Sequence, residues 1–335
     1  MASNRFTRRE IVAAAPLVLV APTLLRAQPA PDKVWRFLVI GDWGRDGRED
    51  QRRTALAMEK VAAQKQTEFV VSTGDNFYHW GVWSATDHRW NTCFENVYSA
   101  DLGKWYSVLG NHDYGGSVQA QIDRHKLSDR WNMDARWYDR VWSRDGWPSL
   151  QLLFFDTVAL EGKEHFPFML HGASMDGSMM AAQLDQMAGK VFADANVIRI
   201  GVGHHPIHSV GPHAGPRQLG DLDKFLRSAK VKAWVNGHDH CLYHLEQDGM
   251  HYVCSGAGSE VLTSKKFDLG HCAMPGQGAG TVEDPVRHSL FHKNPGCDNH
   301  IEGGFALFEL GRDAGSFTFY NSDARALGEG AVRLY

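Results

Sequence analysis

The chain has 335 residues, 43% hydrophobic and 22% charged, which is too apolar for a disordered polypeptide and enough for a large core. Thirty-five basic against thirty-nine acidic residues leave a formal charge of −4, and without a basic run or stripe the sequence offers no footprint for nucleic acid or an anionic membrane surface. Eighteen His and eleven Trp stand out, and they point to metal chemistry or aromatic-lined clefts.

The first element is an address. Residues 7–12 read Thr-Arg-Arg-Glu-Ile-Val, an apolar stretch runs from Ala13 to Leu25, and Arg26-Ala27-Gln28 follows. A basic start, an apolar middle and small residues at a cleavage point form a secretory signal. The apolar part is shorter than the roughly 20 residues a spanning helix needs. Arg8-Arg9 just before it resembles a bacterial twin-arginine signal; an ordinary secretory signal or an uncleaved anchor is the alternative. Cleavage after Ala27 removes four Arg and one Glu and leaves residues 28–335 as a single domain with a charge of about −7. The expected location is periplasmic or secreted, reached by export machinery for folded proteins, with no stable membrane span once the signal is cut. Five cysteines, Cys93, Cys241, Cys254, Cys272 and Cys297, would then meet an oxidising compartment, and an odd number leaves at least one without an internal partner. Cys272 and Cys297 bracket an irregular segment and form the first candidate pair.

From Val34 onward, short apolar runs alternate with segments of helical period. Val34–Ile40, Phe69–Ser72, Trp105–Leu109, Leu150–Phe155, Val197–Val202 and Ala233–Val235 read as buried strands. Ala55/Met58/Ala62, Trp90/Phe94/Val97, Leu184/Met187/Val191 and Leu219/Leu222/Leu226 recur at helical spacing. A hairpin, Leu242–Glu246 and His251–Ser255, turns at Asp248-Gly249, and Phe305–Leu310 and Ser316–Tyr320 close the chain. Alternating strands and helices with an antiparallel tail predict an α/β fold on mixed sheets. Residues 264–304, rich in Gly, His and Pro, read as a long loop.

Five of these strands end in a short glycine-containing motif that carries potential ligands: Gly41-Asp42-Trp43-Gly44, Gly74-Asp75-Asn76-Phe77-Tyr78, Gly110-Asn111-His112-Asp113, Gly203-His204-His205-Pro206 and Gly237-His238-Asp239-His240. A lone Gly-Asp is usually a turn. Five such motifs, each at a predicted carboxyl end where open α/β sheets bind their ligands, describe one metal site.

These motifs resemble the metallophosphoesterases, and within them the purple acid phosphatases of the small, tartrate-resistant type. The general pattern runs Asp-x-His, Gly-Asp-x-x-Asp, Gly-Asn-His, His and Gly-His-x-His. Here Gly44 stands for the first His and Tyr78 for the second Asp, the paired departure of the purple branch. Arg130-Trp131-Asn132, Phe155-Asp156-Thr157, Ser255-Gly256-Ala257-Gly258 and Gly303-Gly304-Phe305 extend the likeness over nearly the whole mature chain. The resemblance implies a four-layer α/β/β/α sandwich with two mixed sheets and a dinuclear metal site at the carboxyl ends of the strands. It also implies that Asp42, Tyr78 and His240 bind one metal, Asn111, His204 and His238 the other, and that Asp75 bridges them. Carboxylate and phenolate suit a trivalent ion such as Fe(III), while two imidazoles and an amide oxygen suit a divalent Fe, Zn or Mn. A bridging carboxylate places two such metals roughly 3.5–4 Å apart.

By the same resemblance His112 holds the phosphate or protonates the leaving oxygen, steadied by Asp113, and His213, nine residues after His204, is a second active-site histidine. His205 either shapes the substrate pocket or is an ordinary loop residue. His79 and His208 read as bystanders. Trp80, Trp83 and Trp90 are candidates to line a cleft for an aromatic leaving group, with core the favoured reading for Trp90, which is spaced with Phe94 and Val97. The segment Glu161–Met180 falls where small purple phosphatases carry a loop over the site. The expected function is acid phosphatase activity on small-molecule phosphate monoesters, with a metal-activated hydroxide as nucleophile and no nucleic acid scaffold. The alternatives are a phosphodiesterase or nucleotide hydrolase on the same centre, and a non-catalytic metal- or phosphate-binding protein.

Overall fold

The computed structural model describes residues 33–158, 178–191, 196–209, 213, 219–261, 277–278, 287–290, 302–327 and 331–335. The signal segment, residues 161–177 of the proposed loop over the site, and Cys272 and Cys297 lie outside them. Lys33–Tyr335 forms one compact unit.

The strands, in chain order, begin with β1 (Trp35–Ile40), β2 (Phe69–Ser72), β3 (Lys104–Ser107) and β4 (Trp131–Asn132). They continue with β5 (Tyr138–Trp142), β6 (Ser149–Phe154), β7 (Val197–Val202), β8 (Ala233–Asn236), β9 (Leu242–Gln247) and β10 (Met250–Ser255). The last are β11 (Gln277–Gly278), β12 (Arg287–Leu290), β13 (Gly304–Leu310), β14 (Gly315–Asn321) and β15 (Val332–Arg333). The α-helices are α1 (Gln51–Lys65), α2 (Val118–Asp123), α3 (Ser178–Ala188) and α4 (Gly220–Ser228). Two mixed sheets result. One has seven strands in the order β15-β14-β13-β1-β2-β3-β4, and the other eight in the order β11-β12-β9-β10-β8-β7-β6-β5. Strands β1, β2 and β3 run parallel, as do β6, β7 and β8, so their carboxyl ends share an edge in each sheet.

Alternation within single strands explains the layering. In β8, Ala233 and Val235 enter the core between the sheets, which also holds Phe37, Phe69, Leu152 and Phe308. Trp234 points the other way, into a second core with Met187 of α3 and Leu222 and Leu226 of α4. On the far side of the first sheet, Ala55, Met58 and Val61 of α1 bury their face. Both faces of each sheet are thus covered, which is why the strands read as unbroken apolar runs. The expected four-layer α/β/β/α sandwich is present.

Three local readings are corrected. The spacing of Trp90, Phe94 and Val97 predicted an α-helix, but Trp90–Glu95 is a single π-helical turn. The Gln51 amide occupies the Cys93 carbonyl at 2.8 Å, and Val97 N–H donates instead to Phe94 O at 3.1 Å. Trp90 itself is 1% exposed and belongs to the core, as expected. Leu184/Met187/Val191 outran its helix, which ends at Ala188. Residues 264–304 are not wholly loop: β12 pairs with β9 and carries β11 beyond it, covering backbone groups that an exposed edge would leave unpaired.

Candidate metal centre

The five glycine motifs converge where the two sheets meet. Asp42, Asp75 and Asn111 leave β1, β2 and β3; His204, His238 and His240 leave β7 and β8. Four of them adopt left-handed backbone angles, Asp42 at φ 60°, Asp75 at 51°, His238 at 70° and His240 at 49°. Such angles disfavour residues with a Cβ by about 1–2 kcal/mol each, and residues so held cluster at functional sites.

Asp42, Asp75 and His240 form one buried group able to hold a metal ion, with Tyr78 at its centre. The phenol oxygen lies 2.9 Å from Asp42 Oδ1, 2.8 Å from Asp75 Oδ2 and 3.0 Å from His240 Nε2. One hydroxyl proton cannot satisfy two carboxylates, and buried like charges at this spacing call for a cation. Burial and the adjacent Asp75 push the Asp42 carboxyl well above its ordinary range. Burial, with Asp42 and Asp75, does the same to the Tyr78 phenol. Asp75 goes the other way, to about 2: burial alone would raise it, but His204, His112 and the His112 backbone N–H overcome that.

On the other side of Asp75, Asn111 Oδ1 sits 3.0 Å from His204 Nε2 and 3.1 Å from His238 Nδ1, and those nitrogens are 3.2 Å apart. The outer hydrogen bonds set the tautomers. His204 Nδ1 meets the Thr73 carbonyl at 2.9 Å and His240 Nδ1 the Glu260 carbonyl at 3.2 Å. A carbonyl only accepts, so in each ring the proton sits on Nδ1 and the Nε2 lone pair faces the cluster, as a ligand requires. Burial lowers His240 to about 3 and, with the surrounding imidazoles, His238 well below its usual value, keeping both rings neutral. Asp75 Oδ2 is also 3.6 Å from His204 Nε2, so one carboxylate oxygen faces both groups. The donor chemistry fits two cations, and the centre is dinuclear.

All seven expected ligands are brought together. His205, read either as a pocket or as a loop residue, is fully buried. It joins His204 and His238 in the second group able to hold a metal. Its Nδ1 is fixed by Thr157 Oγ1 at 2.9 Å, a link between distant segments that Gly-His-His alone does not reveal. His112 is half-buried beside the cluster, its ring centroid 4.5 Å from that of Tyr78. Its backbone N–H donates to Asp75 Oδ1 at 2.8 Å. The expectation that Asp113 steadies His112 is corrected: His112 Nδ1 meets the His79 carbonyl at 2.9 Å. Asp113 turns inward to accept from the backbone N–H groups of Gly110, Asn76 and Phe77.

His213 lies at the rim, its ring 5.1 Å from His238 and 6.2 Å from His240. Asp239, between those two histidines, holds it there by accepting from His213 N–H at 2.9 Å and from Ser209 Oγ at 2.7 Å. His208 packs edge-on against Tyr252 at 4.6 Å, as a bystander would. Trp80 and Trp83 are 53% and 60% exposed on the segment that follows Tyr78.

Residues 36–242 match the Calcineurin-like phosphoesterase family. Purple acid phosphatase 17 of Arabidopsis thaliana is 37% identical over 67% of this chain and 68% of its own. Tartrate-resistant acid phosphatase type 5 of Sus scrofa is 30% identical over 91% of this chain and 88% of its own. The chain belongs to the purple acid phosphatases. The fold extends further: the solved structure "GAP50 the anchor in the inner membrane complex of Plasmodium" superposes with a TM-score of 0.66 at 23% identity, covering 90% of this chain and 88% of that one.

In this purple acid phosphatase the two departures from the general metallophosphoesterase pattern are physically one. Gly44 O accepts from Tyr78 N–H at 2.9 Å, and a Cβ at position 44 would lie 1.8 Å from the Asn76 carbonyl oxygen. A side chain there would displace the turn that delivers the phenol. Gly44→Ala is therefore expected to cost about 1–3 kcal/mol of stability and to reduce metal retention with it, read as the urea midpoint and the metal content after dialysis.

Proposed function

We propose that this protein is a secreted or periplasmic acid phosphatase that hydrolyses phosphate monoesters on a mixed Fe(III)–M(II) centre, M being Fe, Zn or Mn. Family membership makes it a metal-dependent hydrolase of phosphate esters. The observation that carries the finer reading is the single carboxylate oxygen of Asp75, 2.8 Å from the Tyr78 phenol and 3.6 Å from His204 Nε2, between a hard anionic donor set and a neutral one. Asp42, Tyr78 and His240 suit the ferric ion, Asn111, His204 and His238 the divalent one, and Asp75 the bridge. When bound, such a pair supplies Lewis acidity to the phosphate oxygens and acidifies water at working pH.

The chain's own groups do the rest. Asp75 accepts the His112 backbone N–H and so ties the ligand frame to the acid. His112, in its imidazolium form, gives its Nδ1–H to the His79 carbonyl and thereby aims Nε2–H at the leaving oxygen. Proton delivery there offsets the charge that develops as the ester bond breaks. His213, docked by Asp239, offers a second N–H at the rim for a non-bridging phosphate oxygen.

The test is kcat/KM for an aryl phosphate monoester and its diester from acid to neutral pH, before and after chelation and metal return. Monoester preference of roughly tenfold or more, about 1.4 kcal/mol in the barrier, abolished by chelation and restored by iron with a divalent ion, is the expected result. Diester preference near neutrality would move the protein to phosphodiester substrates, and no hydrolysis of either ester by metal-replete protein would leave a binding protein.

Export rests on Arg8-Arg9, the apolar Ala13–Leu25 stretch and Ala27. Among the described residues no helix is long and apolar enough to cross a membrane. Expressed from its full reading frame in a bacterium, the mature protein should begin at Gln28. Arg8→Lys with Arg9→Lys should leave the uncut precursor inside the cell, and unchanged export of that variant by the general secretory route would exclude twin-arginine transport.

A further inference from the structure

Arg45 follows directly on Gly41-Asp42-Trp43-Gly44, and none of the roles above uses it. Its guanidinium carbon lies 4.0 Å from the centroid of the Tyr78 ring. Its Nη2 forms an ion pair with the Glu260 carboxylate, and its Nε is buried with no hydrogen-bond acceptor among the described residues. An arginine held with one N–H unpaired against an aromatic face is bound to that face, where ring electrons attract the cation. Glu260 contributes twice: its carboxylate fixes Arg45, and its carbonyl fixes the tautomer of His240. One residue thus braces the cover of the phenol ring and a second donor of the same group.

We propose that Arg45, braced by Glu260, is a positioning residue that caps the ring of Tyr78 and tunes its electron donation to the ferric ion. This rests on the Tyr78–Fe(III) reading above. A charge-transfer transition moves an electron from phenolate to iron. A cation over the phenolate stabilises the electron where it starts, which raises the transition energy. Outer groups of this kind adjust a metal site without binding the metal. Arg45 also lowers the electron density the phenolate offers, which favours the ferrous state and raises the iron reduction potential.

The experiment compares the visible band and the reduction potential of iron-loaded wild type, Arg45→Lys, Arg45→Leu and Glu260→Gln, each normalised to measured iron content. In Arg45→Leu the band should move to longer wavelength by on the order of 10 nm or more, and the potential should fall. Arg45→Lys keeps the charge without the delocalised guanidinium and should lie between, which a purely structural role would not predict. Glu260→Gln should shift in the same direction by less. Should Arg45→Leu fail to fold, Arg45→Lys and Glu260→Gln still decide the matter. A band that stays at the wild-type position in the variants overturns the role of Arg45 while leaving the ferric–phenolate centre intact. A colourless iron-loaded wild type overturns that centre and this inference together.

Discussion

His112→Ala is expected to lower kcat for phosphate monoesters by about 10²–10⁴-fold while both metals stay bound. The backbone N–H that supports Asp75 survives in Ala, so the ligand frame is undisturbed. What disappears is a ring steered by the His79 carbonyl and packed at a tilt beside Tyr78. The loss should grow as the leaving alcohol becomes more basic, since a nitrophenolate departs without a proton and an alkoxide does not. Measuring kcat for aryl and alkyl phosphates across pH separates this from simple loss of binding, which would raise KM and spare the pH profile. An equal, small loss for both esters would remove His112 from proton delivery. His213→Ala should cost less, because that ring stands at the rim and, among the described residues, its hydrogen bonds are made by its backbone.

The second large effect is expected at Tyr78. Tyr78→Phe preserves ring and volume, so the packing of His112 and Arg45 against it remains. The phenol oxygen that meets Asp42, Asp75 and His240 is lost. Iron-loaded protein should turn colourless, and iron should be lost to a competing chelator more readily than the about 10–100-fold that removal of an outer-shell partner costs. Asn111→Ala offers the contrast: colour persists while the divalent ion is lost first. Absorbance and metal analysis on the same samples check both, and colour surviving in Tyr78→Phe would reassign the chromophore.

The centre was legible in the sequence because its parts lie where chain chemistry is least ambiguous. Gly-Asp, Gly-Asn-His and Gly-His-x-His each end a continuous apolar run, and sheets covered on both faces make those runs easy to read. The strands Phe69–Ser72 and Val197–Val202 have the expected bounds for that reason. What escaped was set by partners far along the chain. Trp90–Glu95 has helical spacing, yet Gln51 claims a carbonyl the helix needs. Tyr138–Trp142, with Asp139 and Arg140 inside it, is an edge strand whose polar residues hid its period. Asp113 looked like a neighbour for His112 but faces three inward amides. His205 and Arg45 carry no motif of their own; Thr157 and Glu260 give them their place.

One consequence concerns the order in which the molecule is completed. Each donor set draws from both halves of the chain: Asp42 and Tyr78 need His240, and Asn111 needs His204 and His238. The first half supplies only β1 to β4 of its sheet, which β13, β14 and β15 complete at the far end of the chain, so on the proposed ligand assignment it cannot retain either ion by itself. If those residues hold the metals, retention of both ions requires both sheets to be in place, and a chain truncated before His238 should not keep the pair. Metal content becomes a record of folding history, and purple colour, where iron is present, a visible proof that assembly ran to its end.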